Sequence, residues 1–229
     1  FEGKNVPIHW HNDLEINLIR EGEAVFQVYQ KSYRVRTGEG FLLNRNVPHS
    51  CSSPGNEHVR YSTILVRPDF LYGDFGSDVE RKCFQPFLQN SAIPCIYLTG
   101  FDENGKEILQ KLNQVEEAFD RKRFCYELKI KGLLCEAFAM ILYGHRQELT
   151  KFVPANLQEL ERLEKMLNYL NMHFTEVISL QDLADQVHLS REVCCRLFKK
   201  MTGKTITGYL EEYRVNKSFS LVQSGQYSM

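Results

Sequence analysis

The sequence predicts an α+β multidomain chain, a β-strand half followed by a helical half. Three observations carry this. Apolar residues alternate with a period of two through residues 1–100, they recur every three or four residues from about residue 103, and a proline breaks the helical pattern near Pro154. At 229 residues the chain has room for two domains of roughly 100–200 residues each.

The strands come first. Leu14, Ile16 and Leu18 alternate with Glu15 and Asn17. Ala24, Phe26 and Val28 repeat the pattern, and Tyr33 and Val35, Phe41-Leu42-Leu43 and Ser62–Val66 follow. Gly22, Gly38, Gly40, Pro48, Pro54-Gly55 and Pro68 punctuate these runs. Many short strands with regular turn signals predict a sandwich or barrel. The stretches 50–58 and 72–92 read as irregular loops.

Beyond the strands, Ile108, Leu112, Val115 and Phe119 form one helical stripe, and residues from Ile130 to Leu142 form a second. The two helices either pack on the outside of the barrel or form a dimerisation hairpin; a stripe alone does not say what it faces. Lys151–Asn156 interrupts the pattern at Pro154, and helical periodicity resumes with Leu160, Leu163, Met166, Leu167 and Leu170. The expected division is therefore a barrel over 1–100, a helical hairpin over 101–150, a linker over 151–158 and a last helical region over 159–229.

That last region carries the most specific local signal. Ser179-Leu180-Gln181-Asp182 has the form of a capping box. The helix it opens has Leu180, Leu183, Ala184 and Val187 on one face. His188-Leu189-Ser190 is a short break, and Ser190 is a good N-cap for the next helix. The second helix is expected to bury Val193, Cys194, Leu197, Phe198 and Met201 and to end at Thr202-Gly203, glycine suiting the left-handed cap position. Two short helices joined by a tight turn, with small Ala184 at their crossing, match a helix-turn-helix. The outer face of the second helix holds Arg191, Glu192, Cys195, Arg196, Lys199 and Lys200. In this motif the start of the second helix reads base edges in the major groove. Arg196 can donate two hydrogen bonds to a guanine. Lys199, Lys200 and Lys204 are better suited to phosphates, which position without specifying. The candidate DNA-contacting set is therefore Ser190, Arg191, Glu192, Cys195, Arg196, Lys199, Lys200 and Lys204.

On these residues, 159–229 resembles the DNA-binding region of the AraC family of transcription regulators. The resemblance rests on Ser190, Phe198-Lys199, Thr202-Gly203, Tyr209-Leu210 and Arg214, with Ser218 standing where the family usually has alanine. The family joins two helix-turn-helix modules through a long helix. As a helix, residues 205–223 would span about 28 Å at about 1.5 Å per residue, close to one turn of DNA. The chain as given reaches Met229 where the second module would begin, so a single reader and weak DNA binding are expected. The resemblance implies a small-molecule effector, with sugars the first expectation, a homodimer, and contact with RNA polymerase if the protein is an activator.

A second resemblance lies near the start. Gly3-x5-His9-x-His11-x3-Glu15-x6-Gly22 reproduces the first cupin motif without a gap. Residues 9, 11 and 15 share parity, so on one strand they would face one way. The second cupin motif is weaker: Gly38 and His49 stand at the right spacing, but Asn44, Asn46 and Ser53 replace its usual residues. The resemblance implies a cupin-like jelly-roll barrel with His9, His11, Glu15 and His49 converging inside as an effector site. Three imidazoles and a carboxylate also make a candidate site for Zn²⁺, Mn²⁺, Ni²⁺ or Fe²⁺. The same four residues serve equally as hydrogen-bonding groups of a ligand pocket or as a polar cluster fixing the barrel mouth. Trp10, the sole tryptophan, is a packing residue or a pocket wall, and Cys51 is given no role.

Composition narrows the class. A net charge of −1 gives no chain-wide nucleic-acid signature, so any DNA contact must come from a local basic surface. The seven cysteines show no paired C-x-x-C spacing, which points to a reducing cytosol rather than a disulfide framework or zinc ribbon. No apolar run approaches the roughly 18 residues of a membrane span. No signal peptide is visible, although a chain beginning at Phe1 is expected to lack a true start. The expectation is a ligand-responsive DNA-binding regulator and not an enzyme. A cupin metalloenzyme, or a DNA-binding protein whose barrel only dimerises, are the alternatives.

Overall fold

A computed structural model describes residues 6–54, 58–151 and 156–223. Gly3 of the first motif, Gly55 of the expected turn, residues 152–155 of the expected linker and residues 224–229 lie outside the described residues.

Among the described residues, eight strands open the chain: β1 (Val6–His9), β2 (Leu14–Glu21), β3 (Glu23–Val28), β4 (Lys31–Arg36), β5 (Gly40–Leu43), β6 (His49–Ser52), β7 (Arg60–Val66) and β8 (Cys95–Leu98). They form two four-stranded sheets, ordered β1-β6-β3-β4 and β7-β2-β5-β8, with every pairing antiparallel. Gly22 makes the tight turn from β2 into β3 at φ +79°, where a Cβ would come within 2.4 Å of the His58 carbonyl oxygen. Any side chain would collide there, so glycine is required.

The two sheets enclose one core. Ile19, Phe26, Val28, Val35, Phe41, Leu43 and Tyr61 fill it, and Phe26 stacks on Phe41 with ring centroids 4.8 Å apart. The alternation of β2 places its two sets of side chains in different environments. Glu15 and Asn17 take the face opposite to Leu14, Ile16 and Leu18, and both sets are buried. The leucines and isoleucine join a second core with Leu42, Ile96 and Leu98, roofed by the helices α3 (Glu103–Arg121) and α4 (Tyr126–Gly144). The Asp102 side chain caps α3 by accepting from the Gly105 N–H at 2.6 Å. Of the expected stripe, Ile108, Leu112 and Val115 are buried, whereas Phe119 is more than half exposed. The stripe overruns the sheet it covers.

After α1 (Pro68–Tyr72), the 72–92 stretch expected to be irregular holds a π-helical turn at Glu80–Phe84 and α2 (Gln85–Leu88). Their Leu71, Phe84, Phe87 and Leu88 complete the second core. Part of the 50–58 stretch is likewise regular, as it pairs in β6.

After the short α5 (Arg146–Leu149), the helices α6 (Leu157–Met172), α7 (Leu180–Gln186), α8 (Arg191–Thr202) and α9 (Ile206–Gln223) build a third core. Leu163, Met166, Leu170, Leu183, Ala184 and Phe198 lie at its centre. Ser179 caps α7 by accepting from the Asp182 N–H at 3.0 Å. Leu180 and Val193, both expected inside, are exposed at 42% and 36%. Each sits in the first turn of its helix, beyond the reach of the core on the far side. Arg214 ties α9 to the turn after α6, donating to the carbonyls of Phe174 at 2.6 Å and Glu176 at 2.8 Å. Among the described residues no helix is long and apolar enough to cross a membrane.

Candidate effector cluster and nucleic-acid interface

His9 closes β1 in one sheet, and Glu15 lies in β2 of the other. The histidines and the glutamate therefore do not share one strand, as their parity suggested. The chain crosses between sheets at Trp10–Asp13, and this crossing turns His11 back toward Glu15. His49 opens β6 and is the register partner of both His9 and Val28. The four expected residues are brought together: the His9 and His49 rings are 4.2 Å apart, and the His11 and His49 rings 5.5 Å.

Backbone carbonyls orient all three imidazoles. Nδ1 of His9 lies 2.9 Å from the Pro7 oxygen, Nδ1 of His11 3.0 Å from that of Asp13, and Nδ1 of His49 2.8 Å from that of Val47. A carbonyl oxygen only accepts, so each Nδ1 carries the hydrogen and donates it. That leaves each Nε2 for the cluster. His11 Nε2 is 2.8 Å from Glu15 Oε2. His49 Nε2, on a side chain only 2% exposed, stands 3.4 Å from the same oxygen and has no hydrogen-bond partner among the described residues. The other carboxylate oxygen accepts from Asn17 Nδ2 at 2.7 Å, and Asn17 Oδ1 accepts from the Thr63 hydroxyl at 2.7 Å.

These contacts set the charges. Burial alone would push the Glu15 carboxyl up, but the hydrogen bond from His11, the closeness of His49 and the hydrogen bond from Asn17 together hold it far below the usual carboxylate range. The hydrogen bond to Glu15 raises His11 against the opposing effect of burial. Burial, then the nearby His49, lowers His9. Asn17 and Thr63 were not picked out from the sequence. Asn17 shares the parity of Glu15, which was the available signal. Cys51 is a core residue of β6, and burial pushes its thiol up to about 11.

The expected nucleic-acid face lies on α8. Ser190 is its N-cap, accepting from the Val193 N–H at 3.4 Å. Arg191, Glu192, Arg196, Lys199 and Lys200 are exposed, and Cys195 is half-buried. Hydrogen bonds from its own backbone N–H and from Ser190 hold the Glu192 carboxyl below its ordinary range. Two of the three lysines assigned to phosphates already have acidic partners: Lys200 with Glu159 at 2.7 Å, and Lys204 with Glu212. DNA would have to displace those carboxylates.

The two halves touch. Ile8, Trp10 and Tyr29 pack against the core of the helical region, and Tyr29 also borders the core inside the barrel. Gly203, the left-handed cap of α8 at φ +75°, lies so close that a Cβ there would come 2.6 Å from the Tyr29 carbonyl oxygen. Gln30 Nε2 donates to the Lys199 carbonyl at 3.5 Å. Burial pushes the Tyr29 hydroxyl up to about 12.

Barrel, helical hairpin and helix-turn-helix, in this order, have the build of a ligand-binding transcription regulator. The model of the AraC-like ligand binding domain matches residues 1–138, and the chain belongs to the AraC family. It is 28% identical over 219 residues to the uncharacterized HTH-type transcriptional regulator YdeC of Bacillus subtilis, covering 95% of this chain and 73% of that protein. It is 21% identical to the HTH-type transcriptional activator RhaR of Escherichia coli, covering 94% of this chain and 73% of that one. Among solved structures, ToxT from Vibrio cholerae is similar at a TM-score of 0.46 and 15% identity, covering 100% of this chain and 84% of that chain.

Proposed function

We propose that this chain is a sequence-specific DNA-binding regulator whose affinity for DNA responds to a small molecule held in the barrel. The observation that carries the reading is the docking of α8. Its amino-terminal face, with Arg191 and Arg196, is exposed, while its carboxy-terminal cap lies against Tyr29 of the barrel. A change at the barrel thus has a direct route to the DNA-reading helix. Arg196 reads a base, and Lys199, Lys200 and Lys204 meet phosphates. The effector binds at His9, His11, Glu15 and His49. A polyhydroxylated compound such as a sugar suits this wall of donors and acceptors. The barrel is a sensor and not an enzyme. The protein acts in the cytosol.

A homodimer fits the outer face of the hairpin. Phe119 and Leu128 are exposed there, Phe124 in the connecting turn is 99% exposed, and a groove of about 930 Å³ runs between the hairpin and β7. RNA polymerase is a further partner if the protein activates.

The test is to select duplexes from a random pool with the purified chain and measure anisotropy on the winner and on a scrambled duplex. Preference for the winner that falls in Arg196→Ala supports base reading. Equal affinity for both duplexes refutes it. A rise in melting temperature with a carbohydrate identifies the effector class, and no rise across a carbohydrate panel removes the sugar assignment.

A further inference from the structure

We propose that the groove between the α3–α4 hairpin and β7 is a second small-molecule site, separate from the histidine cluster, and that it takes a protonated amine carried on an apolar body. The inference stands on the groove alone and does not rest on the reading of the chain as a regulator.

β7 is the edge strand of its sheet. Its register sets Thr63 beside Asn17 and Ile64 beside Ile16, and alternate residues of a strand face opposite ways. Thr63 therefore looks toward Asn17 and Glu15, whereas Ser62, Ile64 and Val66 look toward the hairpin. The histidine cluster and the groove lie back to back across one layer of sheet. The groove holds about 930 Å³, within the range of about 300–1,000 Å³ that small-molecule pockets occupy. Val66, Val115 and Leu134, all buried, form its floor. Phe70, Phe119 and Tyr126, all partly exposed, form aromatic walls. An apolar body laid on these residues removes their surface from water. Of the residues assigned to a dimer face, Phe119 also lines the groove, but Phe124 and Leu128 do not.

The polar groups around these walls are one-sided. Asp69, Glu116, Asp120 and Glu127 line the groove, and among the described residues Arg67 is the only cation that does. Arg67 is already paired with Asp69. Glu116 pairs with Arg20, which Ser62 and Asn113 also hold at 3.1 and 2.6 Å. The other oxygen of Glu116, Oε1, is buried without a hydrogen-bond partner among the described residues. The side chain as a whole is 23% exposed, so a small rotation presents Oε1 to a donor in the groove. An unpaired buried acceptor is costly, and an N–H that reaches it removes the cost. Asp120 and Glu127 form no ion pair among the described residues. The charge of Glu127 pushes the Tyr126 hydroxyl up, so negative potential extends along that wall. The rings also accept cations: the Lys122 ammonium lies over Phe119 at 5.1 Å and that of Lys131 over Phe70 at 5.6 Å, though neither lysine lines the groove. An anion would meet these carboxylates and find the one lining guanidinium taken. A protonated amine meets acceptors and ring faces together.

The test uses the whole chain and three probes that share one body: naphthylmethylammonium, naphthylmethanol and naphthylacetate, each titrated by calorimetry. The expected result is saturable binding of the amine at one equivalent, about tenfold or more tighter than the alcohol, with the acetate weakest. Asp120→Asn combined with Glu127→Gln changes only exposed side chains, so this variant is expected to fold and to lose most of the preference for the amine. Glu116→Gln should also lose it, and Phe119→Ala should weaken amine and alcohol alike. His11→Ala should leave amine binding unchanged. No saturable binding, acetate held as tightly as the amine, or amine affinity unchanged in both carboxylate variants overturns the proposal. Loss of the amine in His11→Ala would move it to the histidine cluster and overturn the proposal as well. Sedimentation checks the remaining occupant: a dimer that excludes the amine gives the groove to a second copy and refutes the assignment. None of these outcomes touches DNA binding, which the selected duplex measures separately.

Discussion

Replacing Asn17 with alanine tests how the cluster is held. Asn17 is fully buried, donates to Glu15 Oε1 and accepts from the Thr63 hydroxyl, both at 2.7 Å. The bond to a charged carboxylate is worth about 1.5–3 kcal/mol, and the neutral one about 0.5–1.5 kcal/mol. Their joint loss should cost about 2–4 kcal/mol. A chain of this size loses about 2–4 °C per kcal/mol, so the barrel should melt about 5–15 °C lower. The assay is a thermal melt by circular dichroism in chelator, so that metal plays no part. Thr63→Val should cost about 1 kcal/mol, since it removes only the neutral bond. The double variant should cost less than the sum, because both changes break the same Asn17–Thr63 bond. An Asn17→Ala protein melting within about 1 °C of the parent, or strict additivity with Thr63→Val, would refute the hydrogen-bonded chain.

Four further outcomes are expected. Gly203→Ala places a Cβ 2.6 Å from the Tyr29 oxygen as well as forcing a left-handed alanine, so limited proteolysis should find the helical region loosened from the barrel. Gly38→Ala, also at positive φ but with nothing within 4 Å, should pay only the conformational cost of about 1–2 kcal/mol. Arg196→Ala should cost about 1–3 kcal/mol on a selected duplex and far less on a scrambled one. Glu159→Gln releases Lys200, so the salt dependence of DNA binding should steepen by up to about one unit, at under about 1 kcal/mol of stability for this exposed pair.

The helix-turn-helix was readable because its signals are local. Ser179 and Ser190 cap, Gly203 takes the left-handed cap, and Ala184 lies in the core, all within 25 residues of sequence. Leu180 and Val193 misled because periodicity assigns a face but not how far the neighbouring core extends along it. Histidine spacing identified the four cluster residues, but by the wrong geometry. They meet through a crossing between sheets and through the pairing of His9 with His49, forty positions apart. Asn17, Thr63 and Tyr29 escaped notice, and Trp10 was read only as a packing residue or pocket wall, for a related reason. Their roles come from partners in other strands or in the helical half, and no local pattern records those.

The most direct measurement is the affinity of the whole chain for a selected duplex, with and without a saturating concentration of whatever ion or compound binds the barrel. The bound ligand is expected to change the dissociation constant for DNA, and DNA to change the ligand's affinity by the same factor, because coupling between two sites is reciprocal. A ligand shown to occupy His9, His11, Glu15 and His49 that leaves the affinity for DNA unchanged would contradict it.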